Sequence, residues 1–223
     1  MSLYKIIQTP QGATIGIWRI EEEVDVLKQK VHPSIWQQDN YQSITSTRRQ
    51  KEWLATRVLI RELLPQNEVM DIRYDEFGKP SLNQNTRYLS ITHSRDFAAV
   101  IFHHHKELGI DLEPIHPKIL RLKRKFVSDK EALQIEGEDV FKLTLFWSAK
   151  ETLYKLYGKK KLRFKEHLLI HSQTSTQTQA KNSKFEAEGY LEASICKESF
   201  NPHTKVYYQQ IEGSILTYTL ANI

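Results

Sequence analysis

Only one cysteine, Cys196, occurs in the 223 residues. A single thiol rules out an internal disulfide framework and suits a reducing compartment, so a cytoplasmic protein is expected. No Cys–His signature surrounds Cys196, which reads as a bystander thiol. No apolar run approaches the roughly 20 residues of a membrane span, and the opening Met1-Ser2-Leu3-Tyr4-Lys5 lacks the apolar core of a signal peptide. An excess of acid is also missing. Lys and Arg total 32 against 27 Asp and Glu, a net charge of +5. The pI near 9.1 favours an acidic partner or an anionic ligand. A hydrophobic share of 39% with 26% charged residues is slightly polar but compatible with a proper core.

What is present reads as a mixture of strands and helices. Residues 3–20 are extended, with a hairpin turn at Gly12, and Glu21 to Lys30 form a short charged helix. Ser46 or Thr47 caps the main helix of the first half, which carries an apolar stripe from Glu52 to Leu64. Arg48, Arg49, Lys51 and Arg57 lie near its first two turns. Cations there oppose the helix dipole, so an anion is a candidate ligand, against the plainer reading of a solvated charged face. Gly78 and Pro80 build a turn that projects Lys79. Tyr88–Thr92 and Ala98–Phe102 read as strands, which leaves His93 at a strand end. His103-His104-His105 is a hairpin turn rather than a ligand set, because consecutive residues alternate faces.

Gly109-Ile110-Asp111-Leu112-Glu113-Pro114 reads as a strand with Asp111 and Glu113 on one face, roughly 7 Å apart at Cα. Ile110 and Leu112 then face the core. Two carboxylates that close repel unless a cation lies between them, and oxygen-only ligands suit Mg²⁺ or Mn²⁺. Lys118–Phe126 and Asp129–Glu136 are expected helices, with Ser128 or Asp129 capping the second. Asp139–Phe146 leads into a helix that begins at Trp147-Ser148-Ala149-Lys150-Glu151-Thr152-Leu153-Tyr154-Lys155 and stops at Gly158. Its Ser148 and Glu151 also fit a capping box, and Glu151 and Lys155 an ordinary surface ion pair. Ser172 to Ser183 is polar and reads as a flexible loop. Lys184–Glu192, Thr204–Gln210 and Ser214–Ala221 read as strands. Helices and strands do not alternate as a doubly wound sheet requires, so an α+β fold is expected.

Two of these stretches, Gly109–Glu113 and Trp147–Lys155, resemble the G-[IV]-D-x-E and W-[ST]-x-K-E-[AS]-x-x-K pair of the 4'-phosphopantetheinyl transferases. Phe77-Gly78-Lys79-Pro80 and Ile91-Thr92-His93-Ser94 are similar to the F-G-K-P and [ST]-H-S elements of that family, in the same order. The resemblance runs from about Arg48 to Gly158 and departs from the pattern at Thr152, where the family has Ala or Ser. It implies a Sfp-type monomer in which two similar α+β halves form a pseudo-dimer around a cleft. Residues 1–105 would supply the coenzyme A phosphate grip, and residues 106–223 the metal site and catalytic helix. The implied activity moves the phosphopantetheine arm of coenzyme A onto a serine of an acidic acyl or peptidyl carrier protein. Nucleic acid and membrane are not implied as partners.

By the same resemblance, Asp111, Glu113 and Glu151 would hold Mg²⁺, with Mn²⁺ a second choice, and Glu151 could also orient or deprotonate the serine. Lys150 and Lys155 would contact phosphate oxygens. Lys79, Pro80, Thr92 and His93 match coenzyme-binding positions, His93 facing the 3'-phosphate. Arg48, Arg49 and Arg57 are further phosphate candidates. A metal-dependent phosphodiesterase or nuclease, or a non-catalytic basic binding module, remains open on the residues alone.

Overall fold

The computed structural model describes residues 2–65, 70–82, 87–177, 187–197 and 202–221. The chain divides into two compact units, residues 1–75 with 80–105, and residues 76–79 with 106–223. Each sets one long helix on an antiparallel sheet, which makes the fold α+β.

In the first unit, β1 (Leu3–Gln8) and β2 (Thr14–Arg19) pair as a hairpin. Three short helices follow, α1 (Val24–Gln29), α2 (Pro33–Trp36) and α3 (Asp39–Gln42). The long helix α4 (Thr47–Leu63) starts where Ser46 Oγ accepts the Arg49 N–H, which satisfies one of the unpaired donors of its first turn. Then come β3 (Ile72–Tyr74), β4 (Pro80–Leu82), β5 (Arg87–His93) and β6 (Phe97–His103). The six strands lie in the order β1-β2-β6-β5-β4-β3. Leu54, Val58 and Leu59 of α4 share a core with Trp18, Leu89 and Val100 of the sheet.

The second unit opens with β7 (Leu108–Pro114) and a 3₁₀ helix over Pro117–Leu122. The short helices α5 (Lys123–Phe126) and α6 (Asp129–Ala132) lead to the long helix α7 (Val140–Tyr157). After α8 (Phe164–His167), the strands β8 (Leu168–Gln177), β9 (Ala187–Ile195), β10 (His203–Ile211) and β11 (Ser214–Leu220) close the chain. The sheet order is β7-β11-β10-β9-β8, so the first strand of the unit pairs with its last. Phe146, Ala149 and Leu153 of α7 are packed on Leu191, Val206 and Ile215. No helix among the described residues is long and apolar enough to cross a membrane.

Several expectations change. The helix carrying Trp147 begins at Val140, two turns early, because Asp139 Oδ1 accepts the Lys142 N–H and caps it. Ser148 is therefore inside the helix, and the capping box lies instead at Ser128 and Glu131. Lys118–Phe126 starts as a 3₁₀ helix, and the Asp129 helix stops at Ala132. Ser172–Gln177 belong to β8, paired with β9, while residues 178–183 of the expected loop lie outside the described residues. A sheet-edge strand needs only one apolar face, so its Ser, Thr and Gln content hides it from a hydrophobicity reading.

Candidate active site

The carboxylates expected to act together sit where α7 crosses β7. Gly109 makes that crossing possible: a methyl group at this position would overlap the Thr152 carbonyl oxygen and crowd the Leu156 nitrogen. The strand and helix backbones consequently approach more closely than side chains ordinarily permit. Asp111 and Glu113, two and four residues on, share the Gly109 face of the strand and point at the helix. That face is the one against α7. Ile110 and Leu112, expected to point at the core, are buried on the opposite side.

Asp111 is 4% exposed and is held from both sides. Lys155 Nζ donates to its Oδ1 at 2.9 Å and to the Ile110 carbonyl at 2.9 Å. Ser148 Oγ donates to its Oδ2 at 3.0 Å and is 2.9 Å from Thr217 Oγ1 of β11. Thr152, the departure from the expected Ala or Ser, is fully buried with its hydroxyl 2.6 Å from the same Thr217 Oγ1. The extra hydroxyl thus has a partner and joins the network that fixes Asp111.

Glu113 accepts a hydrogen bond from Trp147 Nε1 at 3.1 Å. Burial raises its pKa from the ordinary carboxyl value to about 7, and the Asp111 charge pushes the same way. Glu151 is raised to about 7 as well, first by burial and then by Asp111, with Glu113 adding and Lys155 opposing. The three carboxyls therefore act on one another electrostatically. As they stand, no three His, Cys, Asp or Glu side chains among the described residues converge closely enough to hold a metal ion. The donor chemistry nevertheless fits a hard divalent cation. All three donors are oxygen, and burial together with the Asp111 charge makes two of them resist ionising, a cost that a bound cation would relieve. Lys155 supplies positive charge and gives it to Asp111 rather than to Glu151, its neighbour along the helix.

Several other expected residues are placed differently. Lys150 is fully buried, and its ammonium donates to the carbonyls of Phe126 and Phe164 and to Glu131 Oε2 at 2.6, 3.1 and 2.8 Å. Its three N–H groups are thereby engaged, so the expected phosphate contact gives way to a buried ion pair that ties α5 and α6 to α7. Burial lowers the Lys150 pKa, and Glu131 counters it. Lys79 Nζ, expected to grip phosphate, donates to the Leu156 carbonyl at 2.9 Å and Glu107 Oε2 at 3.1 Å. A cation on a C-terminal carbonyl of α7 complements the helix dipole. Pro80 is the first residue of β4.

Arg57 is 5% exposed, stacks over the Trp53 ring at 3.7 Å and donates to Tyr74 Oη at 2.7 Å. It braces the unit from inside and is not placed as an exposed phosphate ligand. Arg49, on the first turn of α4, is exposed, and Thr92 is buried on β5. Arg48 and His93 meet on a residue that sequence reasoning missed, Glu52. Arg48 Nε donates to Glu52 Oε1 at 2.7 Å, and His93 Nδ1 is 3.2 Å from Oε2. The i,i+4 spacing of Arg48 and Glu52 was the available signal for half of this triad. Glu131, the partner of Lys150, was signalled by the Ser128-x-x-Glu131 spacing.

The Gly109–Asp111–Glu113 strand and the Ser148–Glu151–Lys155 helix fall within one recognisable stretch. Residues 107–208 match the 4'-phosphopantetheinyl transferase superfamily. The match supports phosphopantetheine transfer in general. It spans most of the second unit, takes in Asp111, Glu113, Glu131 and Glu151, and does not reach Arg48, Glu52, Lys79 or His93. No curated protein matches the chain.

Proposed function

We propose that the protein transfers the 4'-phosphopantetheine arm of coenzyme A to a serine of an acyl or peptidyl carrier protein, releasing 3',5'-ADP. The observation that carries this is the coupling of Asp111, Glu113 and Glu151 beside Lys155, inside the stretch similar to the superfamily. Magnesium, or manganese in its place, would be held by these three carboxylates and would offset the negative charge of the pyrophosphate.

The chain's own groups suit the remaining steps. Glu151, with its pKa raised to about 7, is ionised enough at neutral pH to accept a proton and basic enough to take it from the serine hydroxyl. As that proton moves, the serine oxygen bonds to the β-phosphorus and the bond to the bridging oxygen of 3',5'-ADP breaks. Negative charge collects on the departing phosphate, and the Lys155 ammonium is the cation suited to meet it. His93 and Arg48 are suited to hold coenzyme phosphate through charge-assisted hydrogen bonds, His93 the 3'-phosphate. A monomer acting in the cytoplasm on an acidic carrier agrees with the single thiol and the net charge of +5.

Incubation with coenzyme A, Mg²⁺ and a panel of unmodified carriers tests this by intact mass. The expected result is a carrier heavier by one phosphopantetheine, dependent on added divalent ion. Hydrolysis of coenzyme A without carrier modification would point to a phosphodiesterase instead.

A further inference from the structure

The carboxylate of Glu52 is 3% exposed, yet both of its oxygens are engaged, one by a guanidinium and one by an imidazole. Oε1 accepts from Arg48 Nε at 2.7 Å and Oε2 lies 3.2 Å from His93 Nδ1. A buried carboxylate is costly unless paired, so this geometry ties the positions of Arg48 and His93 to each other. All three residues have rigid supports. Glu52 lies in the second turn of α4, and Arg48 one turn before it. His93 ends β5 opposite Ala98, and the turn beyond it is closed by the Ser94 N–H donating to the Phe97 carbonyl at 2.7 Å.

We infer that Glu52 is a positioning residue: it accepts from His93 Nδ1–H and so favours the doubly protonated ring, whose Nε2–H is then the donor offered to phosphate, and it orients Arg48 beside it. A histidine has two ring nitrogens, and the bond made by one sets the tautomer and direction of the other. The bond from Arg48 uses Nε, so Glu52 does not consume the two terminal nitrogens, and the Arg48 side chain is 66% exposed. A guanidinium and an imidazole anchored on one carboxylate form a two-pronged donor set whose chemistry fits a phosphate monoester dianion. This inference rests on the proposed coenzyme A reading, which supplies the 3'-phosphate as that monoester. Neither the family resemblance nor the superfamily match draws attention to Glu52.

The test compares coenzyme A with dephospho-coenzyme A, which lacks only the 3'-phosphate. Glu52→Gln keeps the shape but puts an amide N–H₂ against one of two donors. It is expected to raise the Kd for coenzyme A by about tenfold, the scale of one charge-assisted hydrogen bond. The Kd for dephospho-coenzyme A should barely change, and kcat at saturating coenzyme should fall far less than kcat/KM. Glu52→Asp should recover part of the discrimination. A general loss of structure would weaken both ligands alike, and that result would overturn the proposal. Because the variant could also fail to fold, the ¹⁵N shifts of the His93 ring are read in the parent protein, assigned by loss of their signals in His93→Gln. With coenzyme A bound, a ring protonated at both Nδ1 and Nε2 supports the proposal, and a neutral ring carrying a single proton overturns it. If His93→Ala leaves the preference for coenzyme A over dephospho-coenzyme A untouched, the phosphate-grip reading itself fails, whatever Glu52 does to the ring.

Discussion

Asp111 is the residue on which the proposed chemistry leans most. Its two oxygens are positioned by Lys155 and Ser148, and its charge helps raise the pKa of both neighbouring carboxyls. Asp111→Asn should keep the fold and lower transfer by about a hundredfold or more, the scale seen when a metal site loses a ligand or its support. Unchanged melting with lost turnover is the expected pair of measurements; near-normal transfer at ordinary Mg²⁺ would contradict the assignment. Glu113 and Glu151 make a second test through pH. Their folded pKa values of about 7 lie above the ordinary 4.5. Between these values the folded state retains protons that the unfolded chain has released. The contribution of these two groups to the stability of the metal-free protein is therefore fully present below about pH 4.5 and is lost as pH rises to about 7. Glu151→Gln removes one such group and should make the decline shallower in thermal melts. A decline as steep as the parent's would show that Glu151 is not raised.

The two long helices show what individual elements contribute. α7 meets its sheet at a glycine contact and meets α6 through a buried ion pair, and each is separately testable. Gly109→Ala places a methyl group on the Thr152 carbonyl, so it should destabilise by about 3 kcal/mol, at the upper end of overpacking costs. Denaturant titration reads this directly, and a neutral substitution would mean that α7 shifts freely on β7. Lys150→Met leaves Glu131 buried without its cation and should cost about 3–5 kcal/mol. Adding Glu131→Gln should restore much of that loss, because the stranded charge is then gone. Equal losses in the single and double variants would assign Lys150 a role beyond the ion pair. Along α4, by contrast, the Arg48-x-x-x-Glu52 spacing was visible, but the burial of Glu52 and its reach to His93 on β5 were not. A helix face can be read from its period. Which carboxylate on it becomes enclosed depends on what packs above.

At the scale of the whole molecule, the net charge of +5 and the proposed acidic carrier imply an association governed by screening. Raising NaCl from about 0.05 to 0.5 M, across the range where the Debye length contracts below about 10 Å, should raise KM for the carrier several-fold. The effect on kcat should be much smaller. Equal effects on both would separate the charge from carrier docking.

Local rules determined a good deal by themselves. The α+β class followed from strands and helices that do not alternate, the helix starts from the cap candidates Ser46 or Thr47 and Ser128 or Asp129, of which the serines do the capping, and the strand bearing Asp111 and Glu113 from period two. These are properties of a few neighbouring residues, so they survive without tertiary context. The polar strand β8 escaped because an edge needs little hydrophobicity, and Lys150, Lys79 and Arg57 escaped because a lysine or arginine written in a chain carries no mark of its partner. Only tertiary structure decided that Lys150 is spent on Glu131, that Lys155 turns to Asp111 rather than Glu151, and that His93 rests on Glu52. In each case the partners are at least 19 residues apart. A long cationic side chain has several acceptors within reach along its own helix, and burial, which comes from packing between distant elements, selects among them.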